Sequence, residues 1–523
     1  MRWELMAGAV MLAVASGVRA ADRVIGADYQ QEKGAMPEVF RECVGAGRAA
    51  EGLRADWQEQ LKLAHEEIGF RSIRFHGVLS DEMGVYKETL AGAPVYNFQY
   101  VDKLYDAILA LGMKPYVELS FMPAALAAGT QTTFWWKAKV SMPKSMERWD
   151  ELIGKLTAHL TERYGEEEVK QWYFEVWNEP DYLGFFEPSD ETRRQADYFE
   201  LYAHTSRAVK AVNSAYRVGG PATSNTSWIR PFLQFAAAGD LPLDFVSFHT
   251  YGLGGGPDGT DAFGDALRYL SPNMHQPATA ALSQRAVIDA SPRAKLPIHL
   301  NEWGVSYSPH DPVHDTYFAA PYVLEQYKYA GSGVAVMSYW VFTDIIEEVG
   351  VPTAPFHGGF GLLNLQGIRK PAYFAFQWLA RLGPTELRNG DASSWVTRDQ
   401  AGNIQVLVWD LTNPVVGRSP NNTVFRKVIE PKSKGQVAIT ISHVPAGDYR
   451  CTRWQVGYEK NDVYTAYMKM NSPQQLTRGQ EQALRKAAAG EPEAQTDIRI
   501  DGTFTQTLPL RENDVILLTL TRR

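Results

Sequence analysis

Cysteine is scarce, with only Cys43 and Cys451 in 523 residues. That excludes a disulfide-stapled scaffold and, with no CxxC pair, a thiolate zinc cluster. One bridge between the two stays open in an oxidising compartment. An excess of positive charge is also missing: 52 Lys and Arg stand against 60 Asp and Glu, a net charge of −8. A nucleic-acid partner therefore has no electrostatic footprint. Beyond the first residues no run of ~20 apolar residues occurs, so no membrane span is expected. No GxGxxG follows an early strand, which argues against a dinucleotide cofactor. No cofactor and no metal are expected. The nearest metal-like spacing, His310 and His314 in "SPHDPVHDT", contains two prolines and reads as a surface loop.

The chain does have a globular composition, 45% apolar and 21% charged, and it is too long for one ordinary core. The 12% aromatic content suits both large cores and stacking on sugar rings. Arg2, the apolar stretch Met6 to Ala15 and the small residues of "SGVRA" have the layout of a signal peptide cleaved near Ala20 or Ala21. Residues 1–21 are expected to be a leader, and the protein secreted or periplasmic.

From about residue 50 to 372, helical segments alternate with short apolar runs. "LRADWQEQLKLAHEEIGF" leads to "RSIRFHG", "YVDKLYDAILALGM" to "KPYVELSF", and "WDELIGKLTAHLTERYG" to "WYFEVWNEP". "YRVGGPATS", "LDFVSFHTYG", "LPIHLNEWG" and "VAVMSYWVF" follow, and an opening strand falls near Glu42 to Gly45. Eight such units predict an α/β fold, a (β/α)8 TIM barrel over residues 22–385. After Pro371 the texture changes to short alternating runs separated by turn residues, among them "SSWVTRD", "NIQVLVWDL", "FRKVIEP", "QVAITISHVP" and "DVILLTLTR". These predict a β-sandwich over residues 386–523, with the helical insert "TRGQEQALRKAAAG".

A barrel of this kind does its chemistry at the C-terminal ends of its strands, and polar residues collect there. "FEVWNEPD" ends an apolar run in Asn178 and Glu179, and Pro180 stops the strand because it cannot donate to a sheet ladder. "IHLNEWG" ends likewise in Asn301 and Glu302. His76, Glu118, His249, Tyr251, Trp340, Asp344, Glu347 and Glu348 occupy the ends of other strands. Singly, each has a bland reading: His76 or His249 as a structural histidine, Glu118 as a partner of Arg74, Glu347 and Glu348 as a solvated loop pair. Polar groups delivered by six strands to one rim are not explained by packing. Strands four and seven lie roughly opposite each other in an eight-stranded ring. Two carboxylates facing across such a mouth suit glycoside hydrolysis, one as proton donor and the other as nucleophile.

"IRFHGVLSDEMGVY", "FEVWNEPD", "FVSFHTYG", "NEWGVSYSP", "SYWVFTDIIEE" and "PFHGGFGLLNLQGIRKPAYFAF" together resemble glycoside hydrolase family 39, the family of β-xylosidases and α-L-iduronidases. The resemblance runs from about residue 70 to 376, and "MNSPQQLT" continues it. It implies a retaining mechanism with Glu179 as acid/base and Glu302 as nucleophile. Asn178 would bind the sugar 2-hydroxyl and Tyr251 would hydrogen-bond Glu302. His76 and His249 would meet ring hydroxyls, Trp340 would form the sugar platform, and Glu347 or Glu348 would grip a hydroxyl. The tail "SYSP" after Glu302 and the doubled acid after strand eight resemble the xylosidase branch, and the aromatic Trp303 directly after the nucleophile leans away from iduronidase. Asn301 stands where many members carry Thr. The expected substrate is thus an oligosaccharide or glycoside cut at its non-reducing end, most simply a β-xyloside. Arabinosidase, glucosidase or iduronidase specificity, or a binding barrel without catalysis, are the alternatives.

Overall fold

The computed structural model describes residues 22–415 and 417–523, so the leader expected at 1–21 lies outside the described residues. Eight parallel strands close into a barrel. In chain order they are Val44–Arg48, Ser72–His76, Lys114–Leu119, Tyr173–Val176, Arg217–Thr223, Phe245–Tyr251, Ile298–Gly304 and Val336–Tyr339, called strands 1 to 8 below. Strands 2 to 8 fall on the apolar runs of the sequence, and strand 1 begins within the expected Glu42 to Gly45 but extends to Arg48. Strands 2 and 7 are buried along their whole length, as expected of a parallel sheet covered outside by helices and filled inside by side chains.

The outer layer follows from helical spacing. Ala55–Ile68 turns Trp57, Leu61, Ala64 and Ile68 to the barrel, three- and four-residue steps along one face. It ends at Gly69, whose φ of 83° is a left-handed cap that costs glycine little. Met146–Tyr164 starts at Ser145, whose hydroxyl accepts from the Arg148 amide and satisfies a donor the helix itself leaves free. Each fully buried Leu or Ile on these faces contributes about 1.5–3 kcal/mol. The last helix of the barrel, Pro371–Ala380, is followed by a strand beginning at Thr385.

The C-terminal part is a seven-stranded sheet with its own core, in which Val396, Val406, Ile439, Phe504 and Leu518 are buried. One of its strands comes from the other end of the chain. Arg23–Ala35 pairs with Thr385–Asn389 on one side and with Ser433–Val456 on the other, and so closes the sheet into a ring. These residues thus belong to the sheet and not, as the 22–385 boundary supposed, to the barrel. Two further readings change. "QVAITISHVP" and "DYRCTRWQV" form one 24-residue strand, Ser433–Val456, which pairs with Arg23–Ala35, Ala494–Arg511 and Val515–Arg522 along its length. "FRKVIEP" is not a strand: Asn421–Val424 is a helical turn, and Phe425 packs on Phe318 of the barrel half with ring centroids 5.6 Å apart. The expected helical insert is present as Arg478–Ala487, opened by a capping box between Thr477 and Gln480.

Cys43 and Cys451 are both free and buried, in two separate apolar clusters. His314 is not on a surface loop. It is buried, with its ring nitrogens 2.8 Å and 3.0 Å from the carbonyls of Gly358 and Ser306. Among the described residues, no helix is long and apolar enough to cross a membrane.

Candidate active site

The floor of the site is a buried ion cluster centred on Arg74 of strand 2. Its guanidinium lies 2.7 Å from Glu175, 2.8 Å from Glu118 and 3.2 Å from Glu302. It also donates to Oδ1 of Asn178 at 2.9 Å. Burial opposes the charge of Arg74, but the carboxylates of Glu118, Glu175 and Glu302 outweigh it and hold the guanidinium firmly protonated. Glu118 is pushed up by burial and pulled further down by Arg74 and then His76, ending below the usual range. Burial holds Glu175 above its usual range. All three nitrogens of this Arg are thus engaged, and an isolated charge here would be prohibitive.

Glu179 reaches the cavity through a strained turn. Trp177 and Glu179 have φ of 71° and 44°, a left-handed region that non-glycine residues seldom occupy. Two hydrogen bonds hold them there: the Trp177 indole to the Phe185 carbonyl at 2.8 Å, and the Glu179 amide to the Ala222 carbonyl at 2.7 Å. Burial, and next the charge of Asp181, push the Glu179 carboxyl up to about 8. Burial also lowers His249 to about 3, so its ring is neutral. The Nδ1 of His249 sits 2.8 Å from Oε1 of Glu179 and 3.5 Å from Oε2 of Glu302.

Glu302 is held from two sides, by the Tyr251 hydroxyl on Oε1 at 2.5 Å and by Arg74 on Oε2. One oxygen from each of Glu179 and Glu302 and a ring nitrogen of His249 lie within 4.8 Å of one another. Such closeness could also suit a cation. Here Arg74 already brings positive charge to Glu302, and His249 Nδ1 is engaged by Glu179, so the trio reads as a proton-handling pair with its orienter.

These groups open into a cavity of about 950 Å³. His76, Asn178, Glu179, Tyr251, Glu302, Trp340 and Glu348 all line it, as expected from the sequence. His76 turns Nδ1 to Glu118 at 2.9 Å, and Asn178 spends its oxygen on Arg74, which leaves its amide NH2 for the cavity. Trp340 can lie flat in the floor because strand 1 carries Gly45 beneath it, where a Cβ would stand 2.7 Å from the ring. Burial, followed by the charges of Glu302, Glu51 and Glu179, holds the Glu348 carboxyl well above the usual range.

Two expected sugar contacts lie elsewhere. His249 is fully buried behind the acids and touches both, outside the cavity wall. Glu347 is drawn out of the cavity by Arg48 at 2.8 Å and Arg54 at 3.2 Å. Its amide donates to the buried Glu51, whose carboxyl burial raises to about 7. Of the two loop acids, only Glu348 faces the cavity.

Several residues of the site and its wall escaped the sequence reading. Glu175 is one acid within an otherwise apolar strand, and its partner Arg74 is 101 positions away. Phe134, Tyr182, Phe185, Arg268 and Tyr307 line the mouth from long loops that carry no periodic signal.

Three comparisons bear on this geometry. The family model described as glycosyl hydrolases family 39 matches residues 24–505. A β-xylosidase of Geobacillus stearothermophilus is 38% identical over 487 residues, which is 91% of each chain. The solved GH39 enzyme from Xanthomonas axonopodis pv. citri superposes with a TM-score of 0.92 at 40% identity, covering 98% of this chain and 100% of that one. A monomeric β-xylosidase from Caulobacter crescentus CB15 superposes with a TM-score of 0.91 at 39% identity, covering 96% and 99%.

Proposed function

The chain belongs to glycosyl hydrolases family 39 and is a glycoside hydrolase, and from that premise we propose that it is a retaining β-xylosidase with Glu179 as acid/base and Glu302 as nucleophile. The observation that carries the roles is the meeting of the two carboxyl groups within 4.8 Å around His249. Retention needs the carboxyls ~5–5.5 Å apart, whereas inversion needs room for a water, ~6.5–9.5 Å.

In the first step the carboxylate of Glu302 attacks the anomeric carbon. The bond to the aglycone oxygen breaks as Glu179 delivers its proton there. In the second step Glu179, now ionised, takes a proton from water, the hydroxide oxygen bonds to the anomeric carbon, and Glu302 leaves. A carboxyl near 8 holds its proton at neutral pH, as the first step requires. The neutral imidazole of His249 meets Oε1 of Glu179 through Nδ1 at 2.8 Å, which fixes the orientation of the acid's carboxyl group. Tyr251 and Arg74 orient Glu302 for attack, and the free NH2 of Asn178 supports a hydroxyl beside the reacting carbon.

A neutral sugar fits this floor better than a uronate. Its cation, Arg74, is consumed by three carboxylates, and Glu348 adds a further acid group, one that burial disfavours in its charged form, to the cavity wall. The relatives named as β-xylosidases support xylose. The apolar stretch Met6 to Ala15 supports export as the compartment.

The test is a panel of aryl xylosides, arabinosides, glucosides and iduronides, with the anomer of the first-released sugar followed by NMR. Fastest turnover of the β-xyloside with net retention is expected. An inverted product would refute the two-step mechanism, and a faster iduronide or glucoside would refute the sugar assignment.

A further inference from the structure

The mouth of the cavity carries an arginine that the reaction does not use. Arg268 lies in the long loop after strand 6 and lines the same cavity as the two acids. Among the described residues it forms no ion pair. Its guanidinium reaches only the Leu267 carbonyl at 3.2 Å and lies over the Tyr307 ring, 4.9 Å from its centre, while Nε has no acceptor.

The acids nearest in sequence are already engaged. Asp261 and Asp265 both pair with Arg426, at 2.8 Å and 3.0 Å, and His310 binds Asp265 at 2.8 Å. The C-terminal half provides this arrangement and also fixes the backbone of Arg268. The Asn421 amide donates to the Arg268 carbonyl at 2.7 Å, and the Arg268 amide donates to Oδ1 of Asn422 at 3.2 Å. Asn421 is in turn held by Asp311 at 2.8 Å. An arginine whose main chain is pinned on both sides, whose nearest acids are engaged by Arg426 and whose guanidinium lies over an aromatic ring loses little freedom on meeting an anion.

Its position says which part of a substrate it meets. Tyr307 touches Tyr251 edge-on at 6.0 Å, and Tyr251 holds Glu302. Arg268 therefore stands two rings outward from the nucleophile, beyond the sugar being cleaved. Tyr307 is 53% exposed and Tyr182, which lines the same cavity, is 54% exposed, so the cavity offers accessible aromatic faces to an aglycone.

We propose that Arg268 recognises a carboxylate on the aglycone, so that the enzyme favours β-xylosides whose leaving group carries an acidic substituent. The inference rests on the β-xylosidase reading for its substrate but not for its geometry. The acid can come from a uronosyl branch on a xylo-oligosaccharide or from an aromatic acid glycoside. The shared chemistry is a carboxylate next to a ring.

The experiment compares 4-carboxyphenyl and 4-carbamoylphenyl β-xylosides on the full-length enzyme and on Arg268→Gln. In the wild type the acid is expected to have a KM about tenfold below that of the amide at low salt, the scale of one charge-assisted hydrogen bond. Arg268→Gln should remove that ratio, and 0.5 M NaCl should shrink it. An equal KM for both substrates, or a ratio that survives Arg268→Gln, overturns the proposal. A uronosyl-branched xylotriose against plain xylotriose then separates the sources: discrimination there points to a polysaccharide branch, and discrimination on the aryl pair alone to aromatic acids. If neither aryl xyloside is turned over, the β-xylosidase reading has failed. Calorimetric titration of both compounds into Glu302→Gln, with and without Arg268→Gln, then decides the role of Arg268 separately.

Discussion

Tyr251 donates its hydroxyl to Oε1 of Glu302 at 2.5 Å from two places further along strand 6 than His249, which touches Glu179. One strand thus orients both carboxyl groups. Removing the Tyr251 hydroxyl leaves the ring in place and takes one donor from the nucleophile. Tyr251→Phe should lower kcat about 10- to 100-fold, the value of a hydrogen bond to a charged group, with little change in thermal stability. Steady-state rates on an aryl xyloside beside a melting curve check both halves.

The two acids differ in how their loss reads out. Glu302→Ala should reduce kcat by more than about 10⁴-fold on every substrate, because no covalent intermediate can form. Glu179→Ala should cost about 10²–10⁴-fold on poor leaving groups and far less on activated phenols that need no proton. Azide should restore part of the rate of Glu179→Ala and yield the β-xylosyl azide. A product of α configuration would assign the acids the other way round.

The pH profile follows from Glu179. Its carboxyl titrates near 8, above its usual value, so the donor form is complete at lower pH and is lost as pH rises through about 8. The basic limb of kcat/KM should fall there. After burial, the largest upward influence is the charge of Asp181, which accepts from Ser224 and Asn225. Asp181→Asn removes that charge, so the basic limb should move to lower pH. An unmoved limb would show that another group governs it.

Lys370 fastens the loop that carries Glu348. Its ammonium lies 2.6 Å from both Asp315 and Asp344, and all three side chains are fully buried. Lys370→Met leaves two carboxylates without a counter-ion in the interior. It should destabilise the protein by about 3–5 kcal/mol and raise KM as the loop loosens. Thermal melting with KM for a β-xyloside tests it.

Much of the fold was legible because barrel strands buried on both faces read as apolar runs, and seven could be located from those runs; the first, expected near Glu42 to Gly45, runs from Val44 to Arg48. The acids were legible for a related reason: Glu179 and Glu302 interrupt apolar strands at their ends. Glu175 interrupts one too, but its meaning lies in Arg74, which no local pattern connects to it. His249 and Glu347 sat on the expected rim. Their direction was settled by Glu179 in one case and by Arg48 and Arg54 in the other, partners distant in sequence. Arg23–Ala35 is mostly polar and has little alternation, so its role became visible only through its neighbours. "FRKVIEP" had the β-branched texture of a strand, yet Phe425 gains more by packing against Phe318 than by pairing.

The strand Arg23–Ala35 carries a consequence for anyone who would dissect the molecule. A fragment stopping near residue 385 strands those thirteen residues with neither neighbour to receive them. A fragment starting there opens the ring and bares two unpaired backbone edges, the kind of surface that recruits other chains. The halves are therefore not separable modules: the segment before the barrel is the clasp of the sheet after it, and severing either piece releases the other.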